Sequence, residues 1–186
     1  YHTMVGFQAG NQLKGNVNTG VGYKVLQSGT NATHQNNIAI GYHTMQGGNY
    51  SVTNQDNVAI GVNALRYASG SSYNVAVGNT LFATDQTSTQ VVSIGFRALS
   101  GTTSTTGTVA VGHLAARDLT TGDQNIAIGK SAMLTNTTSD YNIAIGTESM
   151  GLDGAGNSTA IGYLSMNEHS GDNDVAVGNY SLRRGT

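Results

Sequence analysis

A five-residue phrase recurs along the whole chain and reads asparagine, β-branched residue, alanine, β-branched residue, glycine. Its strongest copies are Asn37–Gly41, Asn57–Gly61, Asn74–Gly78, Asn125–Gly129 and Asn142–Gly146. Weaker copies end at Gly6, Gly22, Gly95, Gly112, Gly162 and Gly178. The eleven glycines follow one another at intervals of 16 to 20 residues. A short period kept over an entire chain is typical of a solenoid, in which each repeat contacts mainly its neighbours.

Each repeat is interpreted as a strand that ends at its glycine. Counting from that glycine, positions −1 and −3 carry Ile, Val or Thr throughout, and residues two apart share one face of a strand. Ala lies between them in eight of the eleven repeats, so we expect this small position to face a neighbouring sheet or a neighbouring chain. The glycine predicts a corner with positive φ or a backbone approach that excludes a Cβ atom.

A second apolar element follows the corner. Position +3 is usually small and position +4 is large and apolar in nine repeats, which predicts a second short strand and then a polar loop. The nine are Leu26, Met45, Leu65, Phe82, Leu99, Met133, Met150, Met166 and Leu182. The predicted fold is therefore all-β: a parallel β-solenoid or β-roll of about eleven coils, spanning residues 1–186 as a single repeat segment that we expect to belong to a longer protein.

Asparagine occupies position −4 in six repeats. These residues are Asn18, Asn37, Asn57, Asn74, Asn125 and Asn142. Because stacked coils bring one register position into a column, we expect a ladder of side-chain amides, each hydrogen-bonded to the next. The ladder would run the length of the stack, on the order of 50 Å at ~4.8 Å per coil.

One chain offers little material for a core. Each repeat supplies only three or four sizeable apolar side chains. Since association is a common remedy for a weak core, we expect a homotrimer of parallel copies that buries the alanine columns or part of the aromatic residues at position +1.

Composition excludes several classes of function. Charged residues make up 10% of the chain, the net charge is −2, and no basic patch suited to a phosphate backbone is evident, which argues against nucleic acid. Cysteine is absent, so disulfides and thiolate metal sites are impossible. No apolar run approaches the ~20 residues that span a membrane, so membrane insertion by this segment is not expected.

The sequence carries no recognisable catalytic constellation. The five histidines lack metal-ligand spacing, and the acidic residues are scattered, the closest group being Glu168, Asp172 and Asp174. We therefore expect no enzyme, no catalytic, cofactor-binding or metal-binding residues, and no cofactor.

The longer intervals between glycines suggest where a ligand would be recognised. The interval of 20 residues places extra residues at Gly47–Asp56, and this connector carries Asn49, Tyr50, Asn54 and Gln55. Tyrosine beside amides suits contact with carbohydrate, and the competing interpretation is a variable solvent loop.

The phrase Asn57–Leu65, and nearly Asn125–Met133, resembles two related kinds of repeat. One forms the head of trimeric autotransporter adhesins, a left-handed parallel β-roll wound as a trimer, and the other occurs in bacteriophage tail fibres. This chain has a longer repeat than the adhesin heads and a Leu/Met column where they tend to be smaller. Connectors such as Asn136–Ser139 fit the tail-fibre repeat better.

The resemblance implies a structural and adhesive segment of an extracellular trimeric fibre, a phage tail fibre on the virion that attaches to a host cell. Its implied partners are two further copies of the chain and a carbohydrate or protein receptor at the cell surface. The alternative is the head of a bacterial trimeric adhesin at the cell surface. A remote alternative is a β-helical polysaccharide depolymerase, which needs two carboxylates brought together by folding.

Overall fold

The chain forms a parallel β-solenoid, which confirms the predicted fold class. The structure is a computed structural model that describes residues 1–27, 33–47, 53–81, 87–152 and 156–183, and within these ranges it contains no helix. Eleven parallel strands make the main sheet, and each ends within one residue of its corner glycine. In stacking order they are β1 (His2–Val5), β3 (Asn18–Tyr23), β5 (Ile38–Tyr42), β7 (Val58–Val62), β8 (Val75–Asn79), β9 (Val92–Phe96), β10 (Val109–Val111), β11 (Ile126–Ile128), β12 (Ile143–Ile145), β13 (Thr159–Ile161) and β14 (Val175–Val177).

The repeat stays in register through the stack. Ala39 pairs with Ala59, Ala59 with Ala76, and the corner glycines of these coils pair in the same way. A slip of one residue would exchange the two faces of the strand, so the alternation of alanine with β-branched residues holds this register.

A second parallel sheet runs through the connectors before the main strands. It contains β2 (Lys14–Asn16), β4 (Thr33–Gln35) and β6 (Thr53–Gln55). Single bridges continue it from Gln55 to Ser72, from Ser72 to Thr89 and from Thr89 to Thr106. These polar residues lack the alternation with apolar residues that is typical of a strand, so the sequence pattern predicted a polar loop here.

The expected short strand after the glycine is wrong, because that segment is a turn. Positions +2 and +4 adopt the left-handed conformation, as at Asn63 (φ 54°) and Leu65 (φ 50°) in one coil. Two such residues bend the backbone and cannot continue an extended strand. The bend turns the large +4 side chain inward, and the described +4 residues from Leu26 to Met166 are buried. Phe82 lies outside the described residues.

The alanine column faces the inside of its own chain. Every alanine at position −2 is at most 2% exposed. Gly20 occupies this position in the second coil, and a Cβ there would lie 3.1 Å from a Val25 methyl and 3.3 Å from Leu26 Cδ1. The close neighbour of the small position is thus the +3 and +4 side chains of the same chain. The expectation that a neighbouring chain buries the alanines is therefore wrong, because the interior is too narrow for a larger residue opposite Leu or Met.

The corner glycines are required for two separate reasons. All eleven have φ between +124° and +147°, a conformation that side chains rarely adopt. In ten of them an added Cβ would also overlap the carbonyl oxygen of the corner glycine in the next coil. Gly178 is the exception, since nothing lies within 4 Å of its Cβ position.

The predicted amide ladder is present and extends beyond the asparagines. Asn57 Oδ1 accepts a hydrogen bond from the backbone N–H of Asn74 at 3.0 Å, while its Nδ2 donates to Asn37 Oδ1 and to the carbonyl of Ser71. In nine of the ten intervals between coils, the side chain at position −4 accepts a hydrogen bond from the backbone N–H at position −4 of the next coil. His2, Thr108 and Ser158 take the place of asparagine in this role. Val91 interrupts the column because it has no polar side-chain atom.

We predict that Gly61→Ala destabilises the protein much more than Gly178→Ala. Both changes impose backbone strain of roughly 1–3 kcal/mol, but only Gly61→Ala also drives a Cβ into the next coil's backbone. Urea denaturation monitored by circular dichroism measures both. Equal losses in the two variants would contradict the close approach.

We predict that Asn57→Ala lowers the free energy of unfolding by about 3 kcal/mol, because it leaves the buried N–H of Asn74 and the carbonyl of Ser71 without their side-chain partner. The control is Asn11→Ala, which truncates an exposed asparagine and should change stability by less than about 0.5 kcal/mol. Chemical denaturation compares the free energies of unfolding of the two variants. A similar small effect for both would contradict a contribution of the ladder to stability.

Candidate functional site

The β-branched residues at positions −3 and −1 point outward and form what we name the outer face. None of them is buried, and Ile38, Ile40 and Ile94 each expose 38–41% of their surface. Extended over eleven strands at ~4.8 Å each, the outer face is about 50 Å long. Monomeric proteins rarely expose one continuous apolar patch beyond roughly 300–600 Å². The outer face is therefore the candidate interaction surface of this chain.

Position +1 adds a third column on the same side of the sheet, beyond the glycine. At the N-terminal end of the stack this aromatic column consists of Phe7, Tyr23 and Tyr42. Successive ring centroids lie 5.4 and 5.1 Å apart with planes within 14° of parallel. The rings therefore stack on one another along the solenoid, and they leave mainly their edges and the tyrosine hydroxyls to solvent.

Two cations and a histidine lie at the corner beside the aromatic column. The His43 ring stacks on Tyr42 at 4.1 Å, and Lys24 Nζ lies 5.4 Å from the centre of the Tyr23 ring. Burial lowers the pKa of His43, the charges of Arg66 and Lys24 lower it further, and a contact with Gln46 opposes them. Two positive charges thus act on one side chain, and the imidazole is favoured in its neutral form.

Only part of the predicted recognition loop can be located. Asn49 and Tyr50 lie outside the described residues. Gln55 is half-buried, and its Nε2 donates to the hydroxyl of Tyr73 at 3.3 Å.

Asn54 does not belong to a recognition surface. It is buried in β6, where its amide donates to the carbonyl of Ala68 and accepts from the N–H of Ser71. Its register position, seven residues before a corner glycine, is also occupied by Ser71 and by the buried Ser88. The recurrence of a polar residue at this register position was the sequence signal that could have predicted a structural role for Asn54.

His34 is a fully buried histidine one coil before Asn54. It pairs in register with Gly15 and Asn54, and within the described structure neither ring nitrogen has a hydrogen-bond partner. Burial lowers the pKa of His34 to about 4. The neutral ring is therefore a fixed part of the packed coil at neutral pH.

Glu168, Asp172 and Asp174, the acidic residues closest together in the sequence, contact three different partners. Glu168 pairs with Arg183 at 3.1 Å, and Asp174 lies 2.7 Å from His169 Nε2. Asp172 accepts a hydrogen bond from the backbone N–H of Gly156. Within the described ranges, no three or more His, Asp or Glu side chains are grouped so as to hold a metal ion.

No helix in the described part of the chain has the length and apolar character needed to cross a membrane.

We predict that the protein loses stability as the pH falls from about 6.5 to about 4, in part through His34. Between these values the unfolded chain binds a proton that the folded chain excludes, so acid favours unfolding by up to about 3 kcal/mol. His34→Asn removes this titration, and the residue resembles the asparagine at the same register position. Denaturation of wild type and His34→Asn at several pH values should show that the difference between their free energies of unfolding becomes smaller as the pH falls. A pH-independent difference would contradict the buried neutral histidine.

Comparison of the chain with protein-family models, with curated proteins and with solved structures finds no match.

Proposed function

We propose that this solenoid is a structural segment of a homotrimeric fibre that attaches to cell surfaces. The outer face carries the proposal, since none of its β-branched side chains is buried in the single chain. Three copies packed around a common axis would bury the outer faces against one another. The trimer, as opposed to another oligomer, comes from the resemblance of the repeat to fibre proteins.

The size of the outer face suits a stable interface. Positions −3 and −1 alone, without the +1 column, cover about 50 Å by about 10 Å, on the order of 500 Å² in projection. The ridged side chains expose more area than this projection, which brings the outer face toward the about 800 Å² per partner of a standard interface. The side chains are also suitable, because Val and Ile give flat, stiff columns that lose little conformational freedom on packing.

The hydrogen-bonded stack supports a mechanical role. Each coil bonds to the next through its strand and through the ladder at position −4. Force along the axis would thus be resisted by many parallel hydrogen bonds at each coil boundary, as expected of a shaft that holds a binding tip away from a particle or cell.

Within this proposal a phage tail fibre on the virion is favoured, because the Asn- and Thr-rich connectors resemble tail-fibre repeats. The alternative remains a bacterial trimeric adhesin. The sequence that flanks this segment in its gene would distinguish them. A chaperone domain or a particle-attachment region indicates the fibre, and a downstream coiled coil with an outer-membrane anchor indicates the adhesin.

We predict that light scattering gives a mass near three times 19.2 kDa, and that Ile128→Lys with Ile145→Lys converts the assembly to the 19.2 kDa chain. Lysine on adjacent outer-face positions places like charges in a buried interface, which is strongly unfavourable. The control is Thr121→Lys with Thr138→Lys, which adds the same charges to exposed connector positions of the same two coils. A wild-type mass of 19.2 kDa, or a trimer that persists in the Ile variant, would overturn the proposal.

A further inference from the structure

Charge is unevenly distributed along the solenoid. Residues 1–84 contain three cationic residues and one acidic residue, while residues 85–186 contain five cationic and nine acidic residues. The N-terminal part of the stack is therefore positive although the chain as a whole is negative. The cations of this part are Lys14, Lys24 and Arg66, and its acid is Asp56.

Two of these cations lie at the corner beside the aromatic column, in what we name the corner patch: Tyr23, Lys24, Tyr42, His43 and Arg66. Lys24 Nζ lies 5.4 Å from the centre of the Tyr23 ring, on which the His43 ring also stacks at 5.5 Å, and Arg66 reaches the coil of His43 through its hydrogen bond to Gln46. In the described part of the chain no carboxylate forms an ion pair with either cation.

Neutral amides continue the patch along the stack. Arg66 Nε donates to Gln46 Oε1 at 3.2 Å, and Gln46 Nε2 donates to Gln27 Oε1 at 2.9 Å. This relay orients the guanidinium, whose carbon also lies 4.8 Å from the centre of the Tyr67 ring. Among the described residues its two terminal nitrogens have no hydrogen-bond partner, so they are donors for a ligand.

We propose that the corner patch binds an acidic oligosaccharide, with Lys24 and Arg66, which lie two coils apart, each contacting a sugar carboxylate. The tyrosine hydroxyls and the glutamine amides supply the neutral donors and acceptors that sugar hydroxyls require. Because Tyr23 and Tyr42 recur at the coil spacing, which is close to the length of one pyranose residue, neighbouring coils contact neighbouring sugars.

The charge of the patch favours this ligand over nucleic acid. Binding to a phosphate backbone depends on neutralising several phosphates with Lys and Arg, and the patch has only two such residues. Its aromatic rings are already stacked on one another, so they offer no free faces for bases. A saccharide with one carboxylate per residue or per few residues matches the two cations and the surrounding neutral groups.

The inference rests on the proposed function, since an attachment fibre needs a surface ligand, and titration with a defined glycan tests it. The probe is an oligogalacturonate, measured by isothermal titration calorimetry with the assembled wild-type protein. Its methyl ester is the matched ligand control, because it keeps the sugar backbone and removes the charge. We expect the free acid to bind, binding to weaken with added salt, and the ester to bind at least about tenfold more weakly.

Variants locate the site. Lys24→Gln with Arg66→Gln should weaken binding at least about tenfold, and Tyr42→Phe should weaken it less, since it keeps the ring stack and removes one hydroxyl. The matched control is Arg97→Gln, which removes an exposed cation from the same repeat position as Lys24 in a distant coil, and it should bind like wild type.

Several outcomes would overturn the inference: no binding of the acid, equal binding of acid and ester, equal loss in the Arg97 variant, or tighter binding of duplex DNA or of anionic lipid vesicles than of the glycan. The light-scattering mass of the same samples separates this failure from that of the fibre. A trimer that does not bind the glycan would contradict only the proposal for the corner patch. A monomer that binds the glycan would contradict only the proposal of a fibre.

Discussion

The approach of one coil to the next at the corner glycine is the constraint on which the structure depends. The corner glycines stack so closely that a Cβ on one would overlap the carbonyl oxygen of the next. The absence of a side chain at the corner lets backbone hydrogen bonds hold neighbouring strands at their ordinary spacing, and this brings every other repeat position into a column. The amide ladder, the buried alanines and the outward Val and Ile columns are all consequences of that stacking.

Stacking also explains the unusual backbone of the turns. Left-handed conformations are unfavourable for Leu and Met, yet Leu65, Met133 and Met150 adopt them. Each lies fully buried beneath the preceding and following coils. The gain from burying the side chain, together with hydrogen bonds on both sides of the turn, offsets a strain of roughly 1–2 kcal/mol per residue.

The same geometry divides the surface into different chemical environments. Along the outer face the columns are apolar and nearly uniform, which suits contact with copies of the same chain. At the corner the repeat positions vary from coil to coil, from Lys24 and His43 to Asn63 and Arg97. A substitution in a variable column leaves the stacking contacts intact, so the corner can differ between coils without disturbing the fold.

The sequence by itself determined the period, the parallel stack, the corner glycines and the amide ladder, because each follows from one residue type recurring at one register. It also determined that Ile38 and Ile40 share a face opposite to Ala39. Only the tertiary structure decided which face is inside, since period-two alternation is symmetric between the faces. Two left-handed residues after each glycine turn the Leu or Met side chain inward, and the remaining interior space accepts alanine but not isoleucine. The burial of Asn54 and His34 could not be predicted for a related reason. A polar residue in a connector is typical of a surface loop, and only the folded coils show that its side chain lies inside.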